Sequence, residues 1–126
     1  MSRTFAAIAA LTFIFASSAA SAQMLKTADT TKGKTFVDAK GMTLYTFDKD
    51  AGGKSTCNGP CAENWPPLAA ADDAKPTADM TIVVRDDGKK MWAYKGKPLY
   101  TFKNDTAPGE TKGDGFLNGT WHMAKP

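Results

Sequence analysis

Two cysteines, one histidine and a repeated aspartate carry most of the chemistry this chain can offer. Cys57 and Cys61 stand four apart across Gly59-Pro60, and His122 is the only histidine. Two thiolates, an imidazole and a methionine would make a soft set suited to Cu(I), so Cys57, Cys61 and His122 are the candidate metal ligands. Several features weigh against that reading. Neighbours on a strand point to opposite faces, so His122 and Met123 cannot both reach one ion. Met24, Met42, Met80 and Met91 show no Met-x-x-Met spacing. A redox pair of the thioredoxin kind uses two intervening residues in an α/β setting, and here there are three. No histidine directly follows the pair, as covalent haem attachment would need. A structural disulfide is the plain alternative for an even pair in an exported chain. Closing so small a loop is worth about 2 kcal/mol by the loop-closure argument.

Asp50 and Asp105 each end a repeated phrase. Leu44-Tyr45-Thr46-Phe47-Asp48-Lys49-Asp50 returns 55 residues later as Leu99-Tyr100-Thr101-Phe102-Lys103-Asn104-Asp105. Gly41 and Gly96 precede the copies at one offset, and Trp65 and Trp121 follow the tyrosines by 20 and 21 residues. A match this long implies two copies of one unit. The acids could form a catalytic carboxylate pair, one from each unit. The structural reading is that each sits where the chain leaves the sheet and accepts hydrogen bonds from loop N–H groups. Asn104, Asp105, Glu110, Asp114 and Asn118 make the second loop oxygen-rich, but their spacing does not match the twelve-residue calcium loop. No serine-nucleophile motif, phosphate-cradling glycine loop or zinc signature is present. These absences lean away from an enzyme and call for no cofactor and no catalytic residue.

The elements that must position these residues read as strands and turns. Phe36-Val37 and residues 42–47 form a hairpin about Asp38-Ala39-Lys40-Gly41. Thr81 to Phe102 forms a three-stranded meander with turns at Asp86-Asp87-Gly88 and Lys95-Gly96. Thr120 to Ala124 is a last strand. Residues 48–61 and 103–120 are long polar loops rich in glycine. Alternation places Tyr45 with Phe47, and Tyr100 with Phe102, on one face each. With Trp65, Trp92 and Trp121 these rings supply a core for a small domain; the alternative is an exposed platform for a sugar or another flat ligand. The fold class is all-β: a small antiparallel sheet domain built from two pseudo-repeats. Repeat one spans 34–68 and repeat two 80–126, with a joint at 69–79 that could hold a short helix over 69–75. Residues 23–33 are a flexible lead-in.

Residues 1–22 read as a secretory signal: Arg3, an uncharged apolar run from Phe5 to Phe15, then Ala20-Ser21-Ala22. Cleavage leaves 104 residues carrying a net charge of +2. The lysines are scattered, so no nucleic-acid stripe is present. No membrane span remains after cleavage. The expected location is periplasmic or secreted, and the partner is an unidentified envelope ligand or protein.

The doubled Tyr-x-Phe-x-x-Asp phrase resembles that of an exported bacterial repeat family of predicted lipoproteins, secreted repeats of unknown function with a tandem Tyr-x-(aromatic)-x-x-Asp motif. Tyr45, Phe47, Asp50 and Tyr100, Phe102, Asp105 occupy those positions. Cys57 to Cys61 with Trp65-Pro66-Pro67, and Gly113 to Phe116 with Trp121-His122, resemble the family's connecting segments. The likeness covers roughly residues 35–124. It implies a repeat fold and an envelope location, without an established activity. The lipid-accepting cysteine of many members is missing here. The functional expectation is a non-catalytic binding or interaction module; the alternative is a periplasmic copper or redox protein using Cys57 and Cys61.

Overall fold

The computed structural model describes residues 25–126; the expected signal segment, its cleavage site and Met24 lie outside the described residues. Seven short strands and two single-turn helices make up the described chain: β1 (Lys26–Thr30), β2 (Gly33–Val37), β3 (Tyr45–Phe47), α1 (Pro60–Asn64), β4 (Met80–Val84), β5 (Lys90–Tyr94), β6 (Lys97–Pro98), α2 (Phe116–Gly119) and β7 (Trp121–Met123). All strand pairs are antiparallel. The protein is thus an all-β domain of small sheets, and no helix among the described residues is long and apolar enough to cross a membrane.

Each sequence repeat opens with a hairpin, β1–β2 or β4–β5. The lead-in expected to be flexible therefore contributes β1: Lys26 to Thr30 pairs with Gly33 to Val37 in full register. Its lysine and threonines carry no apolar periodicity, so the strand depends on its partner rather than on its own composition. The joint at 69–79 is not helical. Its chain instead hydrogen-bonds to β5, through Ala70 N–H to the Lys90 carbonyl at 3.0 Å. Two glycines at equivalent offsets, Gly41 and Gly96, turn the chain into the repeated phrases with φ of 83° and 82°. Only glycine adopts that region freely.

The closing strand of each repeat does not return to its own unit. β7, from repeat two, pairs with β3 of repeat one: Tyr45 lies opposite Met123 and Phe47 opposite Trp121. Residues 64–68, from repeat one, run beside the Tyr100 strand of repeat two. There Lys103 N–H bonds to the Asn64 carbonyl at 2.9 Å and Thr101 N–H to the Pro66 carbonyl at 2.8 Å. The same contacts recur on the other side, where Asp48 N–H bonds to the Thr120 carbonyl at 2.9 Å. At the centre Tyr45 and Tyr100 face each other and exchange both backbone hydrogen bonds, at 2.7 and 2.9 Å. A pseudo-two-fold passes between them. The repeats seen in sequence are therefore interlocked, and neither is a compact body alone.

Two buried clusters follow from strand alternation. One face gathers Tyr45, Trp65, Met91, Tyr100, Phe102 and Trp121. The other gathers Phe36, Leu44, Leu68, Trp92 and Leu99.

Candidate functional site

The repeated phrase builds the middle of the first cluster. Trp65 and Trp121, one from each repeat, stack at 3.7 Å with planes 2° apart. Phe102 stacks on Trp65 at 4.0 Å, and Phe47 on Trp121 at 4.2 Å. Each phenylalanine thus packs on the other repeat's tryptophan. Tyr45 meets Trp65 edge-on at 5.4 Å, and Tyr100 meets Trp121 at 5.2 Å. Stacked and edge-to-face contacts of this kind each add about 1 kcal/mol beyond area burial. Tyr45, Tyr100 and Trp121 are fully enclosed, Trp65 and Phe102 nearly so, and Phe47 is half-buried.

The two aspartates are exchanged in the same way. Tyr45 Oη donates to Asp105 Oδ2 at 2.6 Å, and Tyr100 Oη donates to Asp50 Oδ2 at 2.6 Å. The second oxygen of each acid holds its own loop. Asp50 Oδ1 accepts from Thr56 N–H and Oγ1, and Asp105 Oδ1 accepts from Lys112 N–H. Loss of solvation, then the bond to a carboxylate, push both phenols well above the ordinary tyrosine value. Burial also holds the Asp105 carboxyl above the usual range, although the bonds from Tyr45 and Lys112 pull the other way. Asp105 is buried and Asp50 half-buried, and both serve as hydrogen-bond acceptors between unlike parts of the chain.

Sequence reasoning did not single out Arg85, yet it is one of the few buried charged residues, 4% exposed. It follows β4 in repeat two and enters the first loop of repeat one. Nη1 donates to Ser55 Oγ at 2.7 Å, and Nη2 donates to the Cys57 carbonyl at 2.8 Å and to Asn58 Oδ1 at 3.3 Å. Ser55 in turn meets Tyr100 Oη at 2.6 Å. A chain of polar contacts therefore runs from Asp50 through Tyr100 and Ser55 to Arg85. Only the β-branched run before it and the turn after it marked this arginine, and neither signals burial.

Cys57 and Cys61 are joined as a disulfide. α1 begins at Pro60, where a missing N–H costs nothing, and ends at Asn64, just before Trp65. The bridge thus fixes the loop that delivers this tryptophan. His122 is exposed and pairs through Nε2 with Asp48 Oδ2 at 2.8 Å. Met123, next to it, is buried on the opposite face. The candidate ligands Cys57, Cys61 and His122 are not brought together, and no three His, Cys, Asp or Glu side chains are grouped for a metal among the described residues. In the second loop Glu110 accepts from the N–H groups of Thr106 and Ala107, which hold its carboxyl below the usual range. Asp114 accepts from Met123 N–H.

Several concavities occur on the surface of the described residues, one of them, of about 470 Å³, between Asn58 and the Arg85-Asp86-Asp87 turn. A groove of about 530 Å³ lies beside His122, with Thr46, Tyr94, Lys95 and Lys97 along it. A smaller cleft of about 320 Å³ opens over the Phe102 end of the aromatic column. Asn64, Trp65, Phe102 and Asn104 line it from one side, and Phe116 and Leu117 from the other. Phe116 tilts over Phe102 at 5.3 Å and is 42% exposed; Leu117 is 59% exposed. α2 is not a regular turn of helix. Leu117 (φ 55°, ψ 56°) and Asn118 (φ 59°, ψ 36°) are both left-handed, between Gly115 and Gly119, which are also at positive φ.

The profile of Lipoprotein_15, described as a secreted repeat of unknown function, matches residues 26–69 and 81–125. The chain belongs to this family. The two matches place one family repeat on each half of the pseudo-two-fold, and the first begins at β1, not after it. No curated protein and no solved structure matched the chain.

Proposed function

We propose that this secreted repeat protein is a non-catalytic binding module of the bacterial envelope, and that it takes its ligand in the cleft between Asn104 and the Phe116-Leu117 turn. One observation carries the reading. Two large apolar side chains are held in the open, on a left-handed backbone, over a cleft lined by no ionisable side chain. Left-handed conformations in residues other than glycine cost of order 1 kcal/mol each and are found at ligand clamps. The repeated acids support the non-catalytic half of the proposal, because their oxygens are occupied by the Tyr45 and Tyr100 phenols and by loop donors. Copper or redox chemistry at Cys57 and Cys61 would first require reduction of the bridge.

The test is a thermal-shift screen of the exported chain against envelope-type small molecules, run beside a Phe116→Ser, Leu117→Ser variant. A ligand present at 100 times its Kd stabilises by about 2.7 kcal/mol. The expected result is a stabilising compound that is recovered unchanged and whose effect disappears in the variant. Chemical conversion of the compound, or equal stabilisation of the variant, overturns the proposal.

A further inference from the structure

We infer that the cleft receives the ring of a neutral saccharide. This rests on the binding reading above and goes further by naming the ligand's chemistry. A sugar ring combines an apolar C–H face with a rim of hydroxyl groups. The face needs an aromatic or aliphatic wall, and each hydroxyl that is buried needs a hydrogen-bond partner. The cleft supplies both. Phe116 and Leu117 form the apolar wall, with Phe102 and the edge of Trp65 as the floor. Trp65 itself is sandwiched between Phe102 and Trp121, so the free aromatic surface is that of Phe116. Opposite stand the exposed side chains of Asn64 and Asn104, and neither amide makes a hydrogen bond with another described residue. Each amide offers two donors and an acceptor, the combination that matches hydroxyl groups.

The lining also argues against other ligands. No charged side chain borders the cleft, so a charged ligand would lose solvation without a counter-charge. A ring without polar groups would leave the two amides unpaired as it closed over them. At about 320 Å³ the cleft lies at the small end of ligand sites and suits one ring rather than a long chain. At the turn that carries the wall, Thr120 Oγ1 donates to the Leu117 carbonyl at 2.9 Å.

The experiment titrates the isotope-labelled exported chain with three probes: di-N-acetylchitobiose, galacturonate and indole. Amide signals of residues 64, 104 and 116–118 are followed by NMR. Chitobiose is expected to shift these signals. Phe116→Ala should weaken its binding about tenfold, which corresponds to a loss of 1.4 kcal/mol. Asn104→Ala should weaken it less, and both variants should keep the wild-type signals of the buried core. Equal or tighter binding of galacturonate, a charged sugar, or of indole at the same signals overturns the neutral-saccharide assignment and leaves the cleft as a binding site. Chitobiose binding that spares these signals, or that Phe116→Ala does not change, also overturns the assignment. No shift of these signals with any probe counts against both the saccharide and the binding reading.

Discussion

The two long loops leave the same repeated phrase and return to equivalent tryptophans, yet they are held by different means. In the first, residues 48–64, the chain is tied by the Cys57–Cys61 bridge and by a buried arginine reaching in from the other repeat. In the second, residues 103–120, there is neither. Glu110 caps the turn at Thr106-Ala107, Asp114 caps β7, and Lys32 pairs with Asp114 at 3.7 Å. Gly113 lies against Trp65 there, and the apolar turn 116–117 stays exposed. The duplicated part of the molecule is thus the scaffold: the Tyr–Asp exchanges, the Trp pair and the two glycine turns. The parts that differ are loops, and loops on a rigid scaffold are where binding is usually found.

That contrast can be broken by substitution. Arg85→Ala should cost the most, about 3 kcal/mol, because it strands the Cys57 carbonyl and takes one of the two partners of Ser55 in a buried site. Glu110→Ala, its half-buried counterpart in the second loop, should cost well under that; equal losses in urea unfolding would erase the distinction. Gly113→Ala should cost about 2–3 kcal/mol by overpacking, since an added methyl would sit 2.6 Å from the Trp65 ring and 3.1 Å from Tyr45. Gly59→Ala, with open space around it but φ of 59°, should cost about 1 kcal/mol. Replacing both cysteines by serine should lower stability by about 2 kcal/mol and loosen only the first loop, read as faster amide exchange between residues 55 and 64.

Smaller effects sharpen the exchange between halves. A double-mutant cycle of Tyr45→Phe with Asp105→Asn should give a coupling of about 1.5 kcal/mol, as expected for a charge-assisted bond. The same tyrosine combined with Asp50→Asn, its partner in sequence, should be additive. Coupling in the second cycle and none in the first would mean that the repeats do not interlock. Asp50→Ala and Asp105→Ala should each lower the melting temperature.

The phenols add a pH dependence of known sign. Both folded values are raised, so their contribution is complete below the unfolded tyrosine value near 10 and is lost as pH climbs towards the folded values. Above pH 10 stability should fall by about 1.4 kcal/mol per pH unit for each phenol. Tyr45→Phe or Tyr100→Phe should halve that slope. An unchanged slope would show that the phenols ionise equally in both states.

Much of this was legible beforehand in particular residues. β-Branched and aromatic runs separated by Asp-Gly and Lys-Gly turns gave the meander from β4 to β6. The doubled phrase gave the internal repeat. Other features were not legible. The Lys26 to Thr30 strand has no apolar pattern of its own, and residues 69–75 left room for a short helix where the chain runs beside β5. Arg85 reads on paper as one more surface cation. Phe116 and Leu117 sit in a polar stretch whose left-handed backbone no local propensity favours outside glycine and asparagine.

The chain's own order of residues was enough to determine an all-β repeat with one phrase used twice, because alternation and turn chemistry are local and each strand writes them out. Only the tertiary structure decided which copy of the phrase serves which partner. Tyr45 is five residues from Asp50 and sixty from Asp105, yet it bonds to the distant one. The reason is geometric. A strand carrying Tyr and Phe on one face needs a neighbour to complete its sheet, and about a pseudo-two-fold that neighbour comes from the other half. The closing tryptophans, and with them the acids and the cleft at the end of their ring stack, follow where the exchanged strands lie.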